Sequence, residues 1–377
     1  MPVNGFKSRN KQKAGSAPPS VPKDVQKGSS PDPQCSNEPT ASRHKRLTIV
    51  GPITSPEEAA ARTCSGSSEQ SQRNRAGKKG TAVLVFAGKS KAGCSAPDVE
   101  KTNQDAYSAI EGFADNSSTF WFSVMDGHGV HGHEVSDMVR RTLPRYVQHS
   151  AEYGRNPKQA LRDAFLKTNC DLFQPGIDTL MSGTTCVACL IQGNTLYTAN
   201  VGDSRAIMAR CNSKGAWTPV PLTDDHKPDK PQEAARIAAA DGVVAAMKGQ
   251  NGEDLGPPRV WRKDCDAPGL AMSRSLGDSL GSTVGVIAEP DIQTTSFTPQ
   301  DRVLVLASDG IWEFMSNEEV VEVVAQYWEA KNPHAACEAL IEEANRRWKA
   351  EEDMIDDTTV VLVFLNSGSA EKQRGHR

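Results

Sequence analysis

Residues 119–136 read TFWFSVMDGHGVHGHEVS, and the interpretation of the whole chain starts from them. The run from Thr119 to Met125 is rich in aromatic and β-branched residues, which predicts a buried strand. The run stops at Asp126, where Gly127 lets the backbone turn tightly beside the carboxylate. A carboxylate at the mouth of a buried strand, followed at once by histidines, indicates a functional site.

Two other interpretations stay open on this stretch alone. Asp-Gly is an ordinary turn dipeptide, so Asp126 and Gly127 could form only a loop. The histidines His128, His131 and His133 lie as close together as zinc ligands do, but no cysteine or glutamate falls at zinc-site spacing around them. The choice among a turn, a zinc site and another kind of site therefore depends on the rest of the chain.

The composition is that of a globular protein without a strongly charged partner. The chain has 377 residues, with 43 lysines and arginines against 47 aspartates and glutamates. This near-neutral balance predicts no nucleic-acid partner. The 9 cysteines are scattered apart from one Cys-x-x-Cys, Cys186 and Cys189, which has no second pair and is interpreted as core packing. Neither a signal segment nor a membrane-spanning apolar run occurs. We therefore expect a monomeric intracellular protein without membrane contact, in the cytoplasm or alternatively in the nucleus.

The chain divides into a polar tail and a folded region. Residues 1–78 are dense in Ser, Pro, Gly and Lys, which predicts a disordered tail because little apolar surface can be buried. Residues 79–367 have the pattern of one folded domain, and residues 368–377 are predicted to be a flexible C-terminus.

The secondary-structure pattern favours α+β layers. Strands are predicted at 81–88, 120–125, 184–192, 195–202, 205–210, 302–308 and 358–365. Helices are predicted at 131–149, 157–173, 231–240, 317–330 and 333–348. Gly193-Asn194 predicts a tight hairpin, so at least part of the sheet is antiparallel. Strands interrupted by pairs of helices disfavour a doubly wound parallel sheet.

Four aspartates stand at the borders of candidate strands. Asp126 and Asp309 each follow an apolar run, Asp105 opens a short one, and Asp356 precedes the last predicted strand. Carboxylates gathered in one place repel each other unless a cation neutralises them. Oxygen ligands without sulfur favour Mg²⁺ or Mn²⁺ over zinc, and a pair of such ions suits the hydrolysis of a phosphate ester.

Eight short motifs in this order resemble the type 2C metal-dependent serine/threonine protein phosphatases, the PPM family, over residues 81–366. The motifs are Asn103-Gln104-Asp105, Asp126-Gly127-His128-Gly129, Ser182-Gly183-Thr184-Thr185, Asn200-Val201-Gly202-Asp203-Ser204-Arg205, Leu222-Thr223-Asp224-Asp225-His226-Lys227-Pro228, Leu270-Ala271-Met272-Ser273-Arg274-Ser275-Leu276-Gly277-Asp278, Ala307-Ser308-Asp309-Gly310-Ile311-Trp312 and Asp356-Asp357-Thr358-Thr359. The resemblance implies a central β-sandwich of two antiparallel sheets flanked by helices on both sides, in α-β-β-α layers. It also implies a binuclear metal site in the cleft at one end.

The resemblance assigns a role to each site residue. Two Mg²⁺ or Mn²⁺ ions per active site would be bridged by Asp126, and a third, weaker ion would lie near two further acidic residues. The implied metal ligands are Asp105, Asp126, the carbonyl of Gly127, Asp309 and Asp356, with Asp203 and Glu313 for the third ion. His128 would be the general acid. Gln104, where family members often have an acid, and Thr185 would support these ligands.

One position departs from the family pattern. An arginine that grips the substrate phosphate commonly stands five residues before the aspartate of the first motif, and here that residue is Glu100. Lys101 is the nearest cation, and we predict that it reaches the phosphate as a point charge.

The implied activity is hydrolysis of phosphoserine and phosphothreonine in phosphoprotein substrates by a metal-bridging water. The alternative is a pseudophosphatase that keeps the fold and binds or scaffolds phosphoproteins. Residues 223–228, the helix at 231–240 and Asp241-Gly242 look like the flap that flanks the family's cleft, with an implied role in substrate recognition. His131 and His133 are predicted to be capping or surface residues.

Overall fold

A computed structural model describes residues 64–65, 81–96, 99–249, 251–352 and 354–366. The strands of this part of the chain are β1 (Cys64–Ser65), β2 (Val83–Lys91), β3 (Cys94–Ala96), β4 (Val99–Glu100), β5 (Ala106–Glu111), β6 (Thr119–Met125), β7 (Gly127–His128), β8 (Gly183–Thr184), β9 (Cys186–Gln192), β10 (Thr195–Val201), β11 (Arg205–Cys211), β12 (Trp217–Pro221), β13 (Gly242–Lys248), β14 (Asp254–Arg262), β15 (Pro268–Leu270), β16 (Leu276–Gly277), β17 (Asp291–Ser296), β18 (Asp301–Ala307) and β19 (Thr358–Leu365).

The α-helices of the described residues are α1 (Gly132–His149), α2 (Pro157–Leu172), α3 (Pro231–Ala239), α4 (Ser279–Ser282), α5 (Asp309–Trp312), α6 (Asn317–Trp328) and α7 (Pro333–Glu351). None of them combines the length and the apolar character that crossing a membrane requires.

Two large antiparallel sheets make up the centre of the fold. The first has the strand order β1-β5-β6-β9-β10-β17 and the second has the order β12-β11-β18-β19-β2. Three smaller sheets have the orders β13-β14-β15, β16-β8-β7 and β3-β4. The predicted α+β fold of two antiparallel sheets flanked by helices is confirmed.

Alternating side chains of β6 explain the layer order. Phe120, Phe122 and Val124 lie in the apolar cluster that joins the two sheets. Trp121 and Met125 point the other way, into the cluster that includes α1 and α2. Because both faces of the strand are covered, every residue of β6 is buried, and the sequence shows a continuous apolar run.

The second sheet is covered in the same way. Val361 and Val363 of β19 face the first sheet, whereas Leu362 and Phe364 pack into the cluster formed with α5, α6 and α7. The four layers are therefore helices, sheet, sheet and helices, with the main core between the two sheets.

The predicted hairpin and the predicted start of the helix at 317–330 are confirmed. The strands β9 and β10 form a hairpin in which Gln192 pairs with Thr195, and Gly193 takes the φ of 58° that favours glycine in such turns. The helix α6 begins with a capping box, in which the Ser316 side chain accepts from the N–H of Glu319 and the Glu319 side chain accepts in return.

The structure also contains strands that were not predicted. The strands β12 and β17 close one edge of each large sheet, and β13, β14 and β15 form a separate sheet after α3. This sheet and α3 share a small apolar cluster that includes Ile237 and Val260. We call residues 223–270 the flap, and its sheet adds to the predicted segment 223–228, helix and Asp241-Gly242.

The N-terminal prediction differs from the structure at two residues. Cys64 and Ser65, inside the predicted disordered tail, form β1 and pair with Ala109 and Ser108 of β5. Backbone pairing at the open edge of a sheet satisfies N–H and C=O groups whatever the side chains are, so composition does not predict it. The remainder of 1–78 and all of 367–377 lie outside the described residues.

The first prediction tests the core between the sheets. Phe122 is fully buried there, so Phe122→Ala should lower the free energy of unfolding by about 3–5 kcal/mol. Urea denaturation of the metal-free protein measures this loss. Phe173, which is 42% exposed, provides the control, and Phe173→Ala should stay within about 0.5 kcal/mol of wild type. Equal losses for the two variants would contradict this packing.

Candidate metal centre

Two strand pairs, one from each large sheet, bring four of the predicted aspartates to the same end of the sandwich. The strands β5 and β6 are antiparallel neighbours, so Asp105, which precedes β5, lies beside Asp126, which follows β6. By the same geometry in β18 and β19, Asp309 lies near Asp356. The two sheets are joined here, because Ser308 Oγ donates to Asp105 Oδ2 at 2.8 Å.

The turn after β6 is held by close backbone approach. A Cβ on Gly127 would lie 2.4 Å from the carbonyl oxygen of Gly132 and 2.5 Å from that of Gln104, so only glycine fits. The N–H of Gly127 donates to the Gln104 carbonyl at 3.2 Å. Thr185 Oγ1 accepts from the N–H of Asp126 at 3.0 Å. Gln104 and Thr185 therefore support the turn that carries Asp126, on opposite sides of it.

The carboxylates of the cluster resist ionisation. Burial is the largest cause, and with neighbouring negative charge it raises the pKa of Asp105 to about 7. Burial and then the charges of Asp105 and Asp309 raise the pKa of Asp126 well above its usual range. Burial and then the charge of Asp203 do the same to the pKa of Asp309. Each group would ionise more easily beside a cation.

Unpartnered oxygens in the cluster fit a hard cation. Within the described residues, the buried atoms Asp105 Oδ1, Asp203 Oδ1 and Asp309 Oδ1 have no hydrogen-bond partner. A buried carboxylate oxygen without a donor is costly, and carboxylate oxygens are the ligands that Mg²⁺ and Mn²⁺ favour. The donor set therefore suits the metal class that the sequence predicts.

Two lysines supply positive charge to the same cluster. Lys101 Nζ contacts Asp356 Oδ1 and lies 3.4 Å from Asp357 Oδ2, and Lys227 Nζ lies 2.6 Å from Asp203 Oδ2. Burial opposes the charged form of both lysines, but these carboxylates outweigh it and raise the pKa of each.

In the described part of the chain, no three His, Cys, Asp or Glu side chains converge closely enough to hold an ion as they stand.

The predicted contact of Lys101 with a substrate phosphate stays a prediction. The structure places Lys101 on two carboxylates of the cluster, Asp356 and Asp357. The reason is electrostatic, because these two carboxylates are the nearest negative charges and are partly withdrawn from water.

Other residues named in the sequence analysis are exposed or make local contacts. Glu313 is exposed directly after α5, and the side chain of Glu100 is not among those described. His131 occupies the N-cap position of α1 but does not cap it through its side chain, which instead contacts Glu134 at 2.8 Å. His133 is exposed.

His128 lies two residues beyond Asp126 and contacts a second carboxylate. Its Nε2 is 2.7 Å from Asp278 Oδ2, and its Nδ1 is a buried atom without a hydrogen-bond partner among the described residues. Burial alone would lower the pKa of His128, but the charge and hydrogen bond of Asp278 outweigh it and raise the pKa. The ring is thus favoured in the protonated form that a general acid requires.

Three residues of the site carry roles that sequence reasoning missed. Asp278 pairs with His128, Lys227 pairs with Asp203, and Asp357 accepts from the N–H groups of Gly93 and Gln104 at 2.8 and 2.9 Å. Each missed residue stands within a motif that the sequence analysis quoted. Their partners, however, are distant along the chain, so only the fold could show the pairing.

Comparison with known proteins gives the same class. A family model, Protein phosphatase 2C, matches residues 91–352. The chain is 39% identical over 274 residues to Probable protein phosphatase 2C 64 of Oryza sativa subsp. japonica, covering 70% of this chain and 62% of that protein. It is 32% identical over 302 residues to Probable protein phosphatase 2C 35 of Arabidopsis thaliana, covering 76% of this chain and 86% of that protein.

A solved structure supports the fold. The crystal structure of serine-threonine phosphatase 2C from Toxoplasma gondii superposes with a TM-score of 0.66 at 22% identity, covering 81% of this chain and 99% of that chain. The fold and the relatives define the class of this protein, which is a protein phosphatase. The chain belongs to the protein phosphatase 2C family.

The second prediction concerns charge repulsion in the cluster. Folding raises the pKa of such a carboxyl above its value in the unfolded chain. The group therefore stabilises the folded protein at a pH below the pKa of the unfolded chain, and this stability is lost as the pH rises through the pKa in the folded protein. Asp309→Asn removes one such group. In excess EDTA the variant should melt about 2–4 °C above wild type near pH 8, and the gain should shrink near pH 5. Thermal unfolding measured at both pH values tests this.

Asp301→Asn is the matched control, because Asp301 is also a buried carboxylate but lies 2.5 Å from Arg210 Nε at the other end of β18. This change removes an attraction and should lower the melting temperature. A lower melting temperature for Asp309→Asn at both pH values would show that Asp309 stabilises the metal-free fold, against this account.

Proposed function

We propose that this chain is a metal-dependent protein serine/threonine phosphatase. The observation that carries the proposal is the cluster of buried, partly unpartnered carboxylates next to His128 at one end of the sandwich. Family membership supplies the reaction class, hydrolysis of phosphate monoesters on proteins.

The cluster would hold two Mg²⁺ or Mn²⁺ ions, and a third, weaker ion would lie beside it. The ligands proposed for the pair are Asp105, Asp126, the carbonyl of Gly127, Asp309 and Asp356, and those for the third ion are Asp203 and Glu313. When bound, such ions lower the pKa of water to give a nucleophile near neutral pH and stabilise charge on phosphoryl oxygens.

The residues of the chain supply the remaining requirements of the reaction. A serine or threonine alkoxide is a poor leaving group. His128 therefore donates a proton to the serine or threonine oxygen as the bond between this oxygen and phosphorus breaks. Lys101 and Lys227 add positive charge at the place where the dianionic phosphate must approach carboxylates. Gln104 and Thr185 fix the backbone of the Asp126 turn, so the ligands and His128 keep their relative positions.

Further features of the proposal concern the cellular context. We propose a monomer that acts on phosphoproteins in the cytoplasm, with the nucleus as the alternative, and without a nucleic-acid or membrane partner. The formal net charge of −4 supports the absence of nucleic-acid and membrane partners, because such partners are anionic and attract basic proteins. The flap is proposed to contact the protein substrate, and residues 1–78 to lie outside the catalytic domain at 79–367.

The third prediction tests the role of His128. With Mn²⁺ present, His128→Gln should reduce kcat for a phosphothreonine peptide by ~10²–10⁴, the range for loss of one general acid. The loss should be much smaller for p-nitrophenyl phosphate, because nitrophenolate leaves readily without a proton. Steady-state hydrolysis of both substrates by the same preparation provides the comparison.

His131→Gln is the matched control, because it replaces a nearby histidine whose side chain contacts Glu134 in the first turn of α1. It should keep the wild-type ratio of the two activities. Equal losses on both substrates, with a raised Mn²⁺ requirement, would assign His128 to metal binding and overturn the general-acid role. Wild-type protein without turnover of either substrate would favour the pseudophosphatase alternative.

A further inference from the structure

A three-stranded sheet of very short strands brings His128 and Asp278 together. The sheet has the order β16-β8-β7, so β8 lies in the middle. Gly183 of β8 pairs with His128 on one side and with Gly277 on the other. Asp278 directly follows Gly277, and its side chain reaches His128 across the central strand, where Nε2 and Oδ2 are 2.7 Å apart.

The contact depends on the absence of a side chain at the central position. A Cβ on Gly183 would lie 2.1 Å from Asp278 Oδ2, which is far inside van der Waals contact. Glycine at this position therefore keeps the space through which the carboxylate reaches the ring. The adjacent Ser182 holds the backbone of Asp278, because its carbonyl accepts from the N–H of Asp278 at 3.0 Å.

Asp278 itself is fixed in an unusual conformation. It is buried, and its φ of 46° places it in the left-handed region that few non-glycine residues adopt. The preceding residue is also held, since the N–H of Gly277 donates to Asn169 Oδ1 at 2.9 Å. Strained backbone at a buried polar residue, held here by hydrogen bonds from two successive N–H groups, is a common feature of functional sites.

The geometry distinguishes the two ring nitrogens of His128. A carboxylate only accepts hydrogen bonds, so the contact with Asp278 requires a proton on Nε2. Nδ1 then remains as the ring nitrogen that can donate to a substrate. It is covered and has no partner among the described residues, so a substrate oxygen reaches it only when its covering groups move aside.

We infer that Asp278 is a positioning residue for His128, which orients the ring through Nε2 so that Nδ1 delivers the proton to the leaving oxygen. The inference rests on the proposed phosphatase reaction. In that step water oxygen bonds to phosphorus and both of its protons stay on the phosphate product, while the bond between phosphorus and the serine or threonine oxygen breaks and its electron pair stays on that oxygen. The Nδ1 proton moves to the same oxygen, so the alcohol leaves neutral and the imidazole becomes neutral. Asp278 keeps its contact with Nε2 throughout.

The fourth prediction uses Asp278→Asn, because asparagine has the same shape and is among the residues best tolerated at positive φ. With Mn²⁺ present, kcat for the phosphothreonine peptide should fall about 10- to 100-fold, as when the partner that orients a metal-bound histidine is removed. KM should change little. Activity on p-nitrophenyl phosphate should fall much less, which a general structural defect would not produce. Asp301→Asn, another buried aspartate, should keep the wild-type ratio of the two activities.

A double variant separates positioning from an independent role. If Asp278 acts only through His128, adding Asp278→Asn to His128→Gln should cause no further loss on the peptide. A further loss of tenfold or more, or equal losses of Asp278→Asn on both substrates, would overturn the inference. If His128→Gln alone loses both activities equally, it is the proposed general-acid function that fails.

A measurement on the wild-type protein avoids the question of whether the variant folds. Long-range ¹H–¹⁵N spectra report which nitrogen of a neutral histidine carries the proton, and the signals of His128 are those lost in His128→Gln. The inference requires the Nε2–H form. A proton on Nδ1 of the neutral ring would overturn it.

Discussion

The mutual repulsion of carboxylates at one end of the sandwich is the constraint on which the rest of the structure depends. Asp105, Asp126 and Asp309 are withdrawn from water, and this burial, followed by the charges of neighbouring acids, raises the pKa of each. Holding such groups together costs free energy that hydrogen bonds only partly offset. The packing of the core offsets the remaining cost. The strands that carry the aspartates are buried on both faces, so their ends cannot easily move apart.

Close backbone contacts hold the segments that carry the aspartates in fixed positions. A Cβ on Gly310 would lie 2.0 Å from the carbonyl oxygen of Asp357, and one on Gly93 would lie 2.0 Å from that of Ile355. Asp357 in turn accepts from the N–H of Gly93. Gly310, directly after Asp309, is therefore needed because its backbone passes within contact distance of Asp357. This close approach brings Asp356 and Asp357 to the aspartates that follow the earlier strands.

The sequence was sufficient to predict the central strands and the aspartates at their ends, because burial on both faces leaves continuous apolar runs with abrupt polar borders. It did not predict β17, whose residues Asp291–Ser296 are polar and mostly exposed, so that pairing with β10 alone makes them a strand. It also missed the contact between His128 and Asp278, which stand 150 residues apart and meet only through the pairing of β16, β8 and β7. Nor does any local pattern show that Asp356, 255 residues further along the chain, is a neighbour of Lys101.

The central claim is that the crowded carboxylates form a cation site used for hydrolysis, and removal and return of the metal tests it most directly. The protein is stripped with excess EDTA, exchanged into chelator-free buffer, and assayed on a phosphothreonine peptide while Mn²⁺ or Mg²⁺ is titrated back. The account predicts no turnover in the stripped protein and saturable recovery with either ion, because a water in a site of carboxylates alone is not nucleophilic. Undiminished hydrolysis by the fully stripped protein would contradict it.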